Sequence, residues 1–145
     1  MPSISTRKGS CLCGAVKFEV TVPEPTFAIC HCAMCRKWSS GPFMAVHCEG
    51  DIRFTEEKGM TWYRSSDWAE RGFCGQCGTN LFWRLADPKT PMLEISLEAL
   101  DDIDDMTLEC HVYIDSKPDR YDFKDDRPRI TEAELLKELG MTPPD

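Results

Sequence analysis

Seven of the nine cysteines in this 145-residue chain fall into three tight clusters: Cys11-Leu12-Cys13-Gly14, Cys30-His31-Cys32-Ala33-Met34-Cys35 and Cys74-Gly75-Gln76-Cys77-Gly78. A separation of one or two residues lets two sulfurs turn toward one ion at about 2.3 Å, the zinc–thiolate distance. Two such pairs, Cys11 with Cys13 and Cys74 with Cys77, complete one four-thiolate site. The middle cluster offers three thiolates, Cys30, Cys32 and Cys35, to a second ion and leaves a position for water or substrate. A chain whose start and middle must meet at one ion has few folds open to it. A structural zinc of this kind contributes about 10–16 kcal/mol of apparent folding free energy, against a typical net stability of about 5–15 kcal/mol. The metal-free chain is therefore expected to fold poorly.

Disulfides are the competing use of these residues. The cysteine count is odd, and no apolar stretch follows the charged N-terminus as it would in an export signal. A reducing, cytoplasmic location is the expectation, and there adjacent cysteine pairs read as metal ligands. The net charge of −8 argues against non-specific nucleic-acid binding and against adhesion to an anionic membrane. No apolar run reaches the length needed to span a bilayer. Zinc is preferred to an iron–sulfur cluster, because neither ferredoxin cysteine run is present.

Around the clusters the pattern is that of strands. Val16, Phe18, Val20 and Val22 alternate with polar residues after the first pair, and Pro23-Glu24-Pro25 ends that run. Short strands are expected at 26–29, 43–48, 52–54, 60–64, 69–73, 81–83, 92–97 and 108–114, with a turn at Glu49-Gly50-Asp51. Arg36 to Gly41 reads as loop or a single turn. One helix is expected near the C-terminus, where Thr131-Glu132-Ala133-Glu134 forms a capping box, Leu135, Leu136 and Leu139 a stripe, and Gly140 a stop. The whole reads as one mostly β domain, residues 1–145, with an antiparallel sheet and a short C-terminal helix.

Whether the second ion has a fourth protein ligand is open from sequence. His31 lies inside the cluster, but its neighbours both ligate, so its side chain is expected to point away. Cys48 and Cys110 read as small buried hydrophobes, and His47 and His111 stand elsewhere. No histidine–carboxylate pair is identifiable from spacing. Trp38, Phe43, Trp62, Phe73, Phe82 and Trp83 read as core, and Asp101, Asp102, Asp104 and Asp105 as a solvated or turn-forming stretch.

These motifs, together with Tyr63-Arg64-Ser65-Ser66, Arg71-Gly72-Phe73, His111-Val112-Tyr113 through Ser116-Lys117-Pro118 and Asp126-Arg127-Pro128-Arg129-Ile130, resemble the glutathione-dependent formaldehyde-activating and centromere-protein-V-like family. The resemblance implies an Mss4-like, zinc-stapled β domain. It also implies a structural zinc on Cys11, Cys13, Cys74 and Cys77 and a catalytic zinc on Cys30, Cys32 and Cys35. The activity implied is that of a carbon–sulfur lyase on glutathione–aldehyde adducts, with glutathione as co-substrate. The chain departs from the family pattern at Glu98, where a glycine is common, at Tyr121 for tryptophan and at Arg127 for leucine.

An ion held by three thiolates favours a further soft ligand such as a thiol. Arg36, Lys37 and Arg64 are candidates for glutathione carboxylates. Arg36, Ser39, Ser40 and the amides of the Cys32–Cys35 turn are candidates to meet developing charge on oxygen. The rival readings are a non-catalytic zinc module for protein interaction and a redox-sensing zinc–thiolate protein. A homo-oligomer is compatible with either.

Overall fold

The computed structural model describes residues 4–141. In chain order the strands are β1 (Ser5–Ser10), β2 (Lys17–Val22), β3 (Thr26–Cys30), β4 (Phe43–Glu56), β5 (Met60–Arg64), β6 (Ala69–Cys74), β7 (Asn80–Leu85), β8 (Leu93–Ser96), β9 (Thr107–Val112) and β10 (Arg129–Ile130). Two helices accompany them, α1 (Ala33–Ser39) and α2 (Glu132–Leu139). The chain divides into two compact units: residues up to Thr26 with Ala45–Thr107, and Phe27–Met44 with the residues from Leu108 on.

In the first unit the strands run β1-β2-β4-β8-β7-β6-β5, every neighbouring pair antiparallel. The alternation read in β2 is realised: Phe18, Val20 and Val22 are buried, with Lys17, Glu19 and Thr21 on the other face. Phe82 is the hub of an aromatic core, edge-on to Phe18 at 4.9 Å between ring centroids and stacked on Trp62 at 5.8 Å. Arg84 lies over the far side of this pair, its guanidinium 3.5 Å from the Trp62 ring centre, so a half-buried tryptophan gains a cation–π contact.

The expected turn at Glu49-Gly50-Asp51 is not a turn. β4 runs through it as one strand of 14 residues. Thr21 faces Glu49 while Glu19 faces Arg53, so β4 carries two extra residues there as a bulge. Gly50 absorbs the distortion at φ 73°, in the left-handed region where a side chain would clash. Arg53 then pairs with Glu19 across the strands.

In the second unit β9 lies between β3 and β10. β10 is parallel to β9, with Arg129 opposite His111 and Ile130 opposite Val112. The capping box is present in full: the Thr131 hydroxyl accepts from the Glu134 amide at 3.2 Å, and the Glu134 carboxylate from the Thr131 amide at 3.1 Å. Of the expected stripe, Leu136 is buried, Leu135 half-buried and Leu139 exposed, because Gly140 turns left-handed and ends the helix at once. The second correction is α1. Residues expected to be loop or a single turn belong to a seven-residue helix that begins in the middle cysteine cluster, because the Cys32 sulfur caps it by accepting from the Cys35 amide at 3.3 Å.

Candidate metal and thiol site

The two cysteine sets lie in different units. In the first, Cys11 and Cys13 occupy the turn after β1, tightened by Gly14 at φ 84°. Cys74 ends β6, and Cys77 sits in the turn before β7. The sulfurs of Cys11, Cys13, Cys74 and Cys77 all lie within 4.8 Å of one another, with Cys11–Cys13 at 3.7 Å and Cys13–Cys74 at 3.8 Å. Four sulfurs at about 2.3 Å from a tetrahedral ion stand about 3.8 Å apart. The set fits zinc without rearrangement.

Backbone amides already point at these sulfurs. Val16 donates to Cys11 at 3.2 Å, and Gln76 and Cys77 to Cys74 at 3.4 Å each. The Thr79 hydroxyl accepts from the Leu12 amide at 3.0 Å, which leaves its own proton for the Cys77 sulfur at 3.1 Å. That hydroxyl is the largest reason the Cys77 thiol is lowered to about 5. At Cys11 burial pushes upward, yet the Val16 amide and the neighbouring sulfurs outweigh it and the thiol ends lowered. Cys13 goes the other way, to about 11, because its Ala15 amide contact is outweighed by burial and by Cys77, Cys11 and Cys74. Crowded sulfurs of this kind cannot all be thiolates unless a cation joins them.

The second set is Cys30 at the end of β3, Cys32 as the cap of α1 and Cys35 buried in its first turn. Their sulfurs too lie within 4.8 Å of one another, and among the described residues no fourth histidine, cysteine or carboxylate donor joins them. Cys32 and Cys35 push the Cys30 thiol well upward, with burial adding to the effect. Cys48 is buried, its thiol raised to about 12 by burial, and it donates to the Val46 carbonyl. Cys110 lies in β9 with its thiol raised by burial.

His31 is fully buried and stands in none of the sulfur groups. Its Nε2 meets His111 Nδ1 at 2.8 Å, and His111 Nε2 meets both Asp125 oxygens at 3.0 Å. A histidine–carboxylate pair therefore exists that spacing did not show: His111 lies on β9 and Asp125 in the segment leading to β10, and only folding joins them. Burial is the main cause that lowers His31 to about 4, followed by His111 and by Lys117, Arg129 and Arg36. Tyr113, next to this pair, has a left-handed backbone at φ 56°. Burial first, then Glu132 and the three cysteines, raise its phenol, so it keeps its proton.

The expected substrate contacts are divided between the two units. Arg36 is half-buried on α1 and its Nε donates to the His31 carbonyl at 3.0 Å, while Lys37 is exposed one residue on. Arg64 belongs to the first unit, where it donates to the Asp67 carbonyl at 3.1 Å. Ser40 is the left-handed residue that ends α1, at φ 58°. In the acidic stretch, Asp105 holds Arg7 through both oxygens, at 2.8 and 2.7 Å.

This small β-rich protein gathers a set of four cysteines and a set of three, each able to hold a metal ion. Residues 6–116 match the family described as glutathione-dependent formaldehyde-activating enzyme, and the chain belongs to it. A Schizosaccharomyces pombe protein, described as an uncharacterized lyase, is 37% identical over 132 residues, which cover 91% of this chain and 96% of that one. A Halomonas elongata protein provisionally named a glutathione-dependent formaldehyde-activating enzyme is 32% identical, over 77% of each chain. The crystal structure of a Rhodobacter sphaeroides protein shares the fold at TM-score 0.54 and 19% identity, over 84% of this chain and 98% of that one. Among the described residues no helix is long and apolar enough to cross a membrane.

Proposed function

We propose that the protein is a zinc-dependent carbon–sulfur lyase acting on glutathione–aldehyde adducts of the S-hydroxymethylglutathione type, in the reducing environment of the cytoplasm. The carrying observation is the contrast in donor number: four gathered cysteines in one unit and, among the described residues, three with no fourth donor in the other. We read residues 1–145 as one Mss4-like, zinc-stapled domain, since the family match runs through both units. Cys11, Cys13, Cys74 and Cys77 would hold the structural zinc, and Cys30, Cys32 and Cys35 the catalytic one.

When bound at the second set, zinc supplies a soft Lewis acid that favours a substrate sulfur as thiolate. The rest falls to the chain. In the lyase direction the carbon–sulfur bond breaks with its electron pair going to sulfur. The hydroxyl proton passes to solvent water, and the O–H bonding pair closes the aldehyde carbonyl. We read Arg36 and Lys37 on α1 as the residues that would meet a glutathione carboxylate, Arg36 through its Nη groups because Nε holds the His31 carbonyl. The Tyr113 phenol and the amides of the first turn of α1 are donors for charge on the oxygen.

The test follows exchange between free formaldehyde and S-hydroxymethylglutathione, after subtraction of the spontaneous rate. Wild type, Cys32→Ser and Arg36→Ala are compared, with metal-edge spectra recorded on glutathione titration. The expected result is catalysis lost in Cys32→Ser, reduced roughly tenfold or more in Arg36→Ala, and a sulfur count at the second metal rising from three to four. A wild type that keeps two metals yet gives no rate above background with several thiols and aldehydes transfers the assignment to the non-catalytic zinc module.

A further inference from the structure

The Asp125–His111–His31 line has a determined proton order. A carboxylate only accepts, so His111 carries its proton on Nε2, facing the two Asp125 oxygens at 3.0 Å. In the neutral ring His111 Nδ1 is then an acceptor, and His31 Nε2, 2.8 Å away, must be the donor. By the same rule His31 Nδ1 is left as a lone pair, and among the described residues it has no hydrogen-bond partner. Both histidines are therefore Nε2–H tautomers, an order set from the Asp125 end.

The line is itself anchored. The Arg127 amide donates to Asp125 at 3.0 Å, and an Arg129 Nη1 stands 3.6 Å from the same carboxylate. Phe123 packs against both imidazoles, with ring centroids 5.5 Å from His31 and 5.2 Å from His111. At its other end His31 is held three times over: by its ring, by its amide on the Val112 carbonyl at 3.0 Å, and by its carbonyl under Arg36 Nε at 3.0 Å. The residue so fixed is the one between Cys30 and Cys32.

We propose that Asp125 and His111 are positioning residues that act through His31 to hold the Cys30–Cys35 loop in its ligating geometry. This rests on the reading of that loop as a metal site. The four-cysteine set needs no such device, since amides and Thr79 hold its sulfurs directly, and it serves as an internal control.

The experiment compares wild type, Asp125→Asn and His111→Phe, loaded with zinc alone and challenged with a chelator, following release from each set. Side-chain ¹⁵N spectra of the histidines are recorded in parallel. Wild type is expected to show both rings as Nε2–H tautomers. Both variants are expected to release the triplet zinc at least about tenfold more readily, with the four-cysteine zinc unchanged. Asp125→Asn keeps shape but removes the carboxylate charge and replaces one of the two oxygens facing His111 Nε2 by an N–H donor, so the ring ¹⁵N signals of His111 and His31 should shift, which a purely space-filling role would not produce. If His111→Phe does not fold, Asp125→Asn decides. Wild-type release rates in Asp125→Asn, or a proton found on His31 Nδ1 in wild type, overturn the positioning role while leaving the metal site standing. A wild type that holds zinc only at the four-cysteine set overturns the metal reading of the triplet, and the positioning role with it.

Discussion

The two cysteine sets solve one chemical problem in opposite ways. In the first unit four sulfurs come from two distant turns, and what restrains them is local: the Val16, Gln76 and Cys77 amides and the Thr79 hydroxyl. In the second unit three sulfurs come from six consecutive residues, and what restrains them is remote, a buried histidine line ending at Asp125. The first arrangement joins two turns far apart in sequence, where the Leu12 amide on Thr79 adds a direct link between them. The second draws on one short loop, beside segments already joined by the pairing of β3 with β9.

The sharpest way to break this comparison is to remove one sulfur from each side. Cys77→Ser leaves three donors where the fold depends on four. It should cost cooperative folding, since the metal's contribution of about 10–16 kcal/mol exceeds the stability of a typical domain. Cys32→Ser should cost one metal equivalent and leave a folded protein with a single cooperative melt. Elemental analysis with thermal unfolding checks both. If Cys32→Ser alone unfolds the chain, the division into a structural and a reactive set is wrong.

How far each set could be read in advance follows from the same contrast. Cysteine spacing is local, so the gathering of Cys11, Cys13, Cys74 and Cys77 into one set and of Cys30, Cys32 and Cys35 into another was legible. The period of two in β2 and the Thr131 capping box were legible for the same reason. α1 was not, because its cap is a cysteine sulfur, a residue already assigned to metal and outside the usual cap set. The unbroken β4 was hidden by Glu49-Gly50-Asp51, a sequence that serves a bulge as well as a turn. The pairing of His111 with Asp125 needed the parallel β9–β10 contact, a register that no short window contains.

A smaller effect sharpens the local side of the comparison. At Gly59 an added Cβ would stand 2.8 Å from the Cys74 sulfur and 3.0 Å from the Ala15 Cβ. Gly59 also accepts the Gly75 amide at 2.7 Å and donates to the Ala15 carbonyl at 3.0 Å, so its backbone cannot easily retreat. Gly59→Ala should therefore destabilise by about 1–3 kcal/mol and loosen metal at the four-cysteine set only. Chelator release from each set, with denaturant unfolding, measures it. Equal loosening of both sets would show that they are mechanically coupled rather than separately restrained.

The smallest expected effect lies away from both sets, and its sign separates charge from packing in the first unit. Arg7 holds Asp105 through both oxygens, and this contact, ahead of an opposing desolvation, keeps the Asp105 carboxyl below its ordinary value. A depressed folded-state pKa means that the contribution is fully present above the unfolded value, about 3.9. It is lost as pH falls through the folded one. Asp105→Asn should melt slightly below wild type at neutral pH, because an exposed pair is weakened by solvent. The gap should narrow from about pH 4 downward and close once Asp105 is protonated in the folded wild type. Added salt should narrow it at neutral pH as well. A gap constant across this range would mean that Asp105 anchors Arg7 through shape and neutral hydrogen bonding rather than charge.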